Sequence, residues 1–92
     1  MVDLDLWKQQ LGTVPDDVWD RTELETLVLA DNGLTAISER IARLQRLRML
    51  DLGHNALTEV PEALGELAGL RDFLYLHDNR LRSLPASVTA LR

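Results

Sequence analysis

The chain has 92 residues, 46% of them hydrophobic but only 4% aromatic, and a formal net charge of −5 from 10 basic and 15 acidic side chains. That length allows one domain, and the apolar share is too high and too evenly spread for a disordered chain. With no cysteine there is no disulfide framework or thiolate chemistry, and no apolar run approaches the roughly 18 residues that a membrane-spanning helix needs.

Leucine occupies 20 of the 92 positions, and its spacing divides the chain into four segments. Residues 1–23 begin MVDLDLWKQQ, acidic and polar where a secretory signal would be basic and then apolar. They hold Leu4-x-Leu6-x-x-Gln9-x-Leu11-x-x-Val14-Pro15 and, with the next two residues, the whole excess of negative charge. Residues 24–46 hold Leu24-x-x-Leu27-x-Leu29-x-x-Asn32-x-Leu34-x-x-Ile37. Residues 47–69 repeat this as Leu47-x-x-Leu50-x-Leu52-x-x-Asn55-x-Leu57-x-x-Val60-Pro61. Residues 70–92 carry Leu74-x-Leu76-x-x-Asn79-x-Leu81-x-x-Leu84-Pro85, with one inserted residue between Leu70 and Leu74.

In each segment the leucine pairs 27/29, 50/52 and 74/76 alternate with polar or small residues, which predicts a short strand with one buried face. After each asparagine the apolar interval changes to three and four, as in Leu34, Ile37, Ile41 and Leu44, which predicts a helical return. Pro61 and Pro85 suit the first turn of such a return, where a missing N–H costs nothing, and Ser38 suits a cap in the second segment. A strand that returns through a helix to a parallel neighbour does so right-handedly.

The repeated motif resembles the leucine-rich repeat family in its form of about 23 residues, LxxLxLxxNxLxxLP, as in bacterial and intracellular members. Two copies match at nearly every position, a third differs by the insertion, and the phase holds across the whole chain. The resemblance implies an α/β fold: a right-handed solenoid, a horseshoe segment of about four repeats. Short parallel strands would line its concave face, and short helices or helical turns its convex face. It also implies that the chain binds another protein.

The asparagines have a physical reason to recur. Where the chain turns inward after the strand, backbone groups are buried without sheet partners, and a side-chain amide offers both donor and acceptor. Gln9, Asn32, Asn55 and Asn79 are therefore expected to form a ladder serving their own turn and the next. The first repeat reads as a terminal cap, with Gln9 for asparagine, Arg21 for leucine, and Asp3 and Asp5 in its strand. Trp19 is expected to lid the leucine core and Trp7 to lie on the surface, with a role in partner contact as its sharper reading. At the other end Leu74, Leu76, Leu81, Leu84, Val88 and Leu91 would present their outer sides to solvent. Continuation into a longer array, or a homodimer through the uncapped strand edge, would cover them. The inserted residue is expected to form a bulge, with Phe73 tucked into the core beside Leu70 rather than displayed on the concave rim.

Function is expected on the concave face. Reading the strand positions across repeats gives three columns: Asp5, Val28, Asp51 and Tyr75; Trp7, Ala30, Gly53 and His77; and Lys8, Asp31, His54 and Asp78. Asp5, Trp7, Val28, Asp31, Met49, Asp51, His54, Tyr75, His77 and Asp78 form the candidate partner-binding set, mixing apolar anchors with polar selectivity. Two histidines beside aspartates suit zinc in principle, but the surface is flat and open, so no metal or other cofactor is expected. Ser38, Ser83 and Ser87 fall away from both histidines and no glycine loop could cradle phosphate, so no catalysis is expected. Acidic balance argues against nucleic acid, and the patch Arg40, Arg43, Arg46 and Arg48 reads as a solvated face. The expected chain is thus a cytoplasmic protein-interaction module and a fragment of a longer leucine-rich repeat protein; the alternative is a purely structural scaffold segment of a larger GTPase-, kinase- or ligase-linked protein with no activity of its own.

Overall fold

The computed structural model describes residues 2–71 and 73–89. Four three-residue strands, β1 (Asp3–Asp5), β2 (Thr26–Val28), β3 (Met49–Asp51) and β4 (Phe73–Tyr75), form one parallel sheet in the order β1-β2-β3-β4. Their register places Leu4, Leu27, Leu50 and Leu74 in one row. The chain coils as an open right-handed solenoid. Its returns are mostly 3₁₀ turns, Asp16–Asp20, Glu39–Arg43, Glu62–Glu66 and Ala68–Arg71, followed by one α-helical turn, α1 (Ala86–Thr89). The helical turns expected here take the tighter 3₁₀ form for a reason of length. A 3₁₀ turn rises about 2.0 Å per residue against about 1.5 Å for an α-helix, so few residues recross the convex side.

Each return is started by the residue before it. Pro15 and Pro61 stand in extended conformation with ψ of 137° and 150°, and their carbonyls accept from Val18 and Leu64 N–H at 3.1 Å each. Proline therefore caps the return instead of occupying its first turn, one residue earlier than the spacing predicts. Ser38 holds the same place in the second repeat, where its Oγ accepts from Arg40 N–H at 3.0 Å.

The core runs along the solenoid between sheet and returns. Leu27, Leu29, Leu50 and Leu52 are wholly buried, as are Leu34, Ile41, Leu44, Leu57, Leu64 and Leu67. Leucines nearer the ends, Leu4 and Leu6 on one side and Leu74, Leu76 and Leu81 on the other, are half-buried against this cluster. Val88 is buried against it, which corrects the expectation that it faces solvent; Leu84 is exposed, and Leu91 lies outside the described residues. Trp19 is 2% exposed, an interior group rather than an outer lid. With Arg21 exposed at the position of Leu44 and Leu67, the indole supplies apolar volume that this repeat otherwise lacks.

The inserted residue produces no bulge in the pairing. Leu50 and Leu74 remain register partners, and the extra length enters the additional turn Ala68–Arg71 upstream of β4. That turn lies hard against the start of the third repeat: a Cβ on Gly69 would stand 2.6 Å from the Leu47 carbonyl oxygen. On the convex side Arg40 and Arg43 pair with Asp16 and Asp20 of the first repeat at 3.9 and 3.2 Å. Half of the basic patch is thus matched by the acids of its neighbour.

Candidate functional site: the concave sheet

The concave face begins with the pleat. Side chains at alternate strand positions point away from the leucine core, so the register sets Asp5, Val28, Asp51 and Tyr75 side by side, with rows about 4.8 Å apart. Sheet hydrogen bonding continues past the strands. Leu6, Leu29 and Leu52 N–H donate to Val28, Asp51 and Tyr75 carbonyls at 2.9, 2.8 and 2.9 Å. Two residues on, Lys8, Asp31 and His54 N–H donate to Ala30, Gly53 and His77 carbonyls at 3.2, 3.0 and 3.0 Å.

There the chain bends inward. Lys8, Asp31, His54 and Asp78 have φ of 55°, 58°, 54° and 54°, a left-handed conformation that Asp and His tolerate better than most residues. Two carboxylates brace the approach to the bend. Asp5 Oδ1 accepts from Trp7 N–H at 3.0 Å and Asp51 Oδ1 from Gly53 N–H at 2.9 Å, side-chain-to-backbone bonds typical of aspartate in turns.

The asparagines satisfy what the bend leaves open. Asn32 Oδ1 accepts from Gln9 and Leu11 N–H at 2.8 and 3.4 Å, and its Nδ2 donates to Leu6, Leu29 and Ala30 carbonyls at 2.8, 3.1 and 3.1 Å. Asn55 repeats the pattern one turn on. It accepts from Asn32 and Leu34 N–H at 2.9 and 3.1 Å and donates to Leu29, Leu52 and Gly53 carbonyls at 3.2, 3.0 and 3.1 Å. Asn79 accepts from Leu57 N–H at 3.0 Å and donates to Leu52, Leu76 and His77 carbonyls. Every amide reaches back to the preceding repeat, not forward as its motif suggests, because Oδ1 lies toward the turn already made. Gln9 is exposed, and among the described residues its amide donates only to Trp7 O at 3.2 Å.

Side chains of the turn column pair across repeats. Lys8 Nζ lies 3.9 Å from Asp31 Oδ2 and 5.0 Å from the centre of the Trp7 ring. His54 Nδ1 meets Asp78 Oδ2 at 2.7 Å, and its ring stands edge-on to His77 with centroids 4.7 Å apart. His77 in turn faces Tyr75 edge-on at 6.5 Å. Room for the His77 ring comes from Gly53, where a Cβ would lie 2.6 Å from Cε1 and 2.7 Å from Nε2. His54, His77, Asp78, Asp51 and Tyr75 are therefore one cluster at the β3–β4 end, while Asp5, Trp7 and Asp31 gather at the β1–β2 end beside Lys8. Among the described residues no group of three His, Cys, Asp or Glu side chains is placed to hold a metal ion. Ser38 and Ser87 are engaged elsewhere, the first as a cap and the second donating to the Glu62 carbonyl at 2.9 Å.

One further column begins two residues upstream: Asp3, Thr26, Met49 and Phe73. Of these only Met49 belongs to the expected partner-binding set. Phe73 is 47% exposed and belongs to this concave rim, correcting its expected place in the core. The same period-two alternation, extended by one step toward the strand starts, identifies the column. Here Glu25, Thr26, Arg48, Met49 and Phe73 line a shallow depression of about 310 Å³.

The family described as Leucine rich repeat matches residues 22–81. Volume-regulated anion channel subunit LRRC8D of Rattus norvegicus is 31% identical over 94 residues, which cover 100% of this chain and 11% of that protein. Leucine-rich repeat and calponin homology domain-containing protein 1 of Mus musculus is 35% identical over 88 residues, covering 96% of this chain and 12% of that protein. The solved structure of a leucine-rich repeat protein of Leptospira interrogans superposes with a TM-score of 0.82 at 29% identity, over 96% of this chain and 28% of that one. The chain thus spans little more than a tenth of these curated relatives, and its similarity extends over animals as well as a bacterium. Motif, register, ladder and comparisons agree, and the chain belongs to the leucine-rich repeat family.

Proposed function

We propose that the chain is a protein-interaction module and that its concave sheet is the binding face. The observation that supports this most is the placement of exposed aromatic groups. Trp7, Phe73 and Tyr75 are 53%, 47% and 43% exposed, and all three stand in concave columns. Aromatic side chains with a polar surround are what interfaces use as anchors, and a rigid sheet presents them at little entropic cost. Around them stand Asp5, Asp31, Asp51, His54, His77 and Asp78, whose carboxylates and imidazoles supply direction. Val28 and Met49 add half-buried apolar area.

The test replaces Trp7, Asp51, His54 and Tyr75 together by alanine. Wild-type and substituted chains are immobilised, and the proteins retained from a cell extract are compared quantitatively. Proteins held by the wild type are expected to be lost from the variant while its circular dichroism is unchanged. Equal retention would refute the concave-face assignment. A scaffold role within a longer array is the second reading, favoured by the half-buried Leu74, Leu76 and Leu81 at the β4 end. Under that reading the four substitutions change no retention, and a further repeat joined after α1 raises the melting temperature.

A further inference from the structure

The depression at the strand starts and the charge around it narrow the chemistry of the partner, on the reading that the concave face is a binding face. Its lining joins the exposed ring of Phe73 and the half-buried Met49 and Thr26 to Glu25 and Arg48. It crosses β2, β3 and β4, a width of about 10 Å at the spacing of parallel strands. That is room for one large apolar side chain.

Charge sets what surrounds such a side chain. Among the described side chains on and beside the concave columns stand Asp3, Asp5, Glu25, Asp31, Asp51 and Asp78, against Lys8 and Arg48. Lys8 is already matched by Asp31 at 3.9 Å. The carboxylates around the depression thus favour an occupant that brings positive charge. A second copy brings the same net −5 and would set acidic face against acidic molecule. Nucleic acid and anionic lipid are repelled for the same reason.

We infer that the depression takes the apolar anchor of a cationic peptide segment of a partner protein, with Lys or Arg flanking a Leu, Met or Phe. The anchor sits on Met49 and Phe73, and the flanking cations meet Asp51, Glu25 and the aspartates of β1. Complementary charge of this kind raises the rate of encounter and selects the partner, and the anchor supplies most of the affinity.

The experiment pans a phage-displayed library of random peptides about a dozen residues long, a length that an extended-segment site can cover, against the 92-residue chain. Selected peptides are resynthesised and titrated by fluorescence polarisation. Enrichment of an apolar residue flanked by Lys or Arg is expected. Phe73→Ser, at an exposed position, should weaken binding by about tenfold or more, and Glu25→Gln by about threefold at low salt but less at physiological ionic strength. Enrichment of neutral or acidic peptides that Phe73→Ser still weakens overturns the cationic partner and leaves the concave-face reading standing. Peptides indifferent to Phe73→Ser and to the Trp7, Asp51, His54 and Tyr75 substitutions overturn both readings. Failure to enrich any peptide, or sedimentation of the chain as a dimer that Phe73→Ser dissociates, also overturns the inference, the latter in favour of a second copy.

Discussion

Replacing Asn55 by leucine separates the ladder's contribution from that of the leucine core, and its cost follows from the bonds. Asn55 donates to three carbonyls, but each has another donor: Asn32 Nδ2 at Leu29 O, Asn79 Nδ2 at Leu52 O and Asp31 N–H at Gly53 O. The two amides it accepts from, Asn32 N–H and Leu34 N–H, have no second acceptor among the described residues. The substitution therefore strands two donors and little else. At about 1–3 kcal/mol for each stranded group, reduced because Asn55 is only half-buried and water reaches part of the site, the loss comes to about 2–4 kcal/mol. For a chain of this size that lowers the melting temperature by about 10 °C or more. Thermal unfolding followed by circular dichroism measures it, and amide exchange localises it: Asn32 and Leu34 N–H should exchange faster, while Leu27 N–H follows the global change. Gln9→Ala is the internal control, since among the described residues that exposed amide bonds only Trp7 O, and it should cost less than about 0.5 kcal/mol. Equal losses for Asn55→Leu and Gln9→Ala, or a loss below about 1 kcal/mol for Asn55→Leu, would refute the reasoning.

Two glycines distinguish close approach from backbone conformation. A Cβ on Gly65 would meet Ser87 backbone atoms at 2.5 and 2.6 Å, so Gly65→Ala should cost about 1–3 kcal/mol by urea denaturation, whereas Gly33, at φ 67° with open space around it, should lose about 1 kcal/mol on the same change. His54→Gly removes the contact with Asp78 but relieves a left-handed residue, so stability should hold or rise by up to about 1 kcal/mol; a fall of that size would mean that the imidazole holds the turn. Arg43→Ala breaks the exposed pair with Asp20 and should change stability by less than about 0.5 kcal/mol, a value that a double-mutant cycle with Asp20→Ala tests.

Much of this molecule is legible in its leucines because repetition supplies its own register. Once Asn32 and Asn55 are aligned, Leu27 must lie beside Leu50, and the concave columns follow without any structure. What spacing could not convey is geometry inside the repeat. Apolar intervals of three and four suit an α-helix, yet five residues that must recross the convex side adopt the longer-rising 3₁₀ turn. Pro61 fits helix start and helix cap nearly equally well, and only its extended ψ decides between them. Phe73 is misplaced for a different reason. Alternation with Leu74 and Leu76 alone sets Phe73 on the concave face, but a bulge expected at the insertion would break that alternation, and the unbroken pairing of Leu74 with Leu50 shows that it does not. The direction of the ladder is hidden likewise, since an amide has the same composition whichever neighbour it serves. The His54–Asp78 pair was visible only as two neighbours in a column; its contact depends on both residues sharing a left-handed backbone.

A solenoid constrains its positions unequally, and the contrast explains why relief appears on one face. Leucines that fill the core and asparagines that hold the bend cannot change without stranding volume or hydrogen bonds. Concave positions obey no such rule, and here they range from glycine to tryptophan within a single column, Trp7, Ala30, Gly53 and His77. Large groups beside small ones turn a regular sheet into a surface with shape: the His77 ring lies over Gly53, and Phe73 stands at the edge of a hollow floored by Met49. Two members of the face are less free than they look. Asp5 and Asp51 brace their own turns, so their negative charge is retained for the fold as well as presented to a partner. Val28 and Tyr75 fill the same column with no carboxylate to brace their turns. In this one column charge is therefore anchored in alternate repeats and apolar contact is set between them, an arrangement that favours a partner alternating in the same way along it.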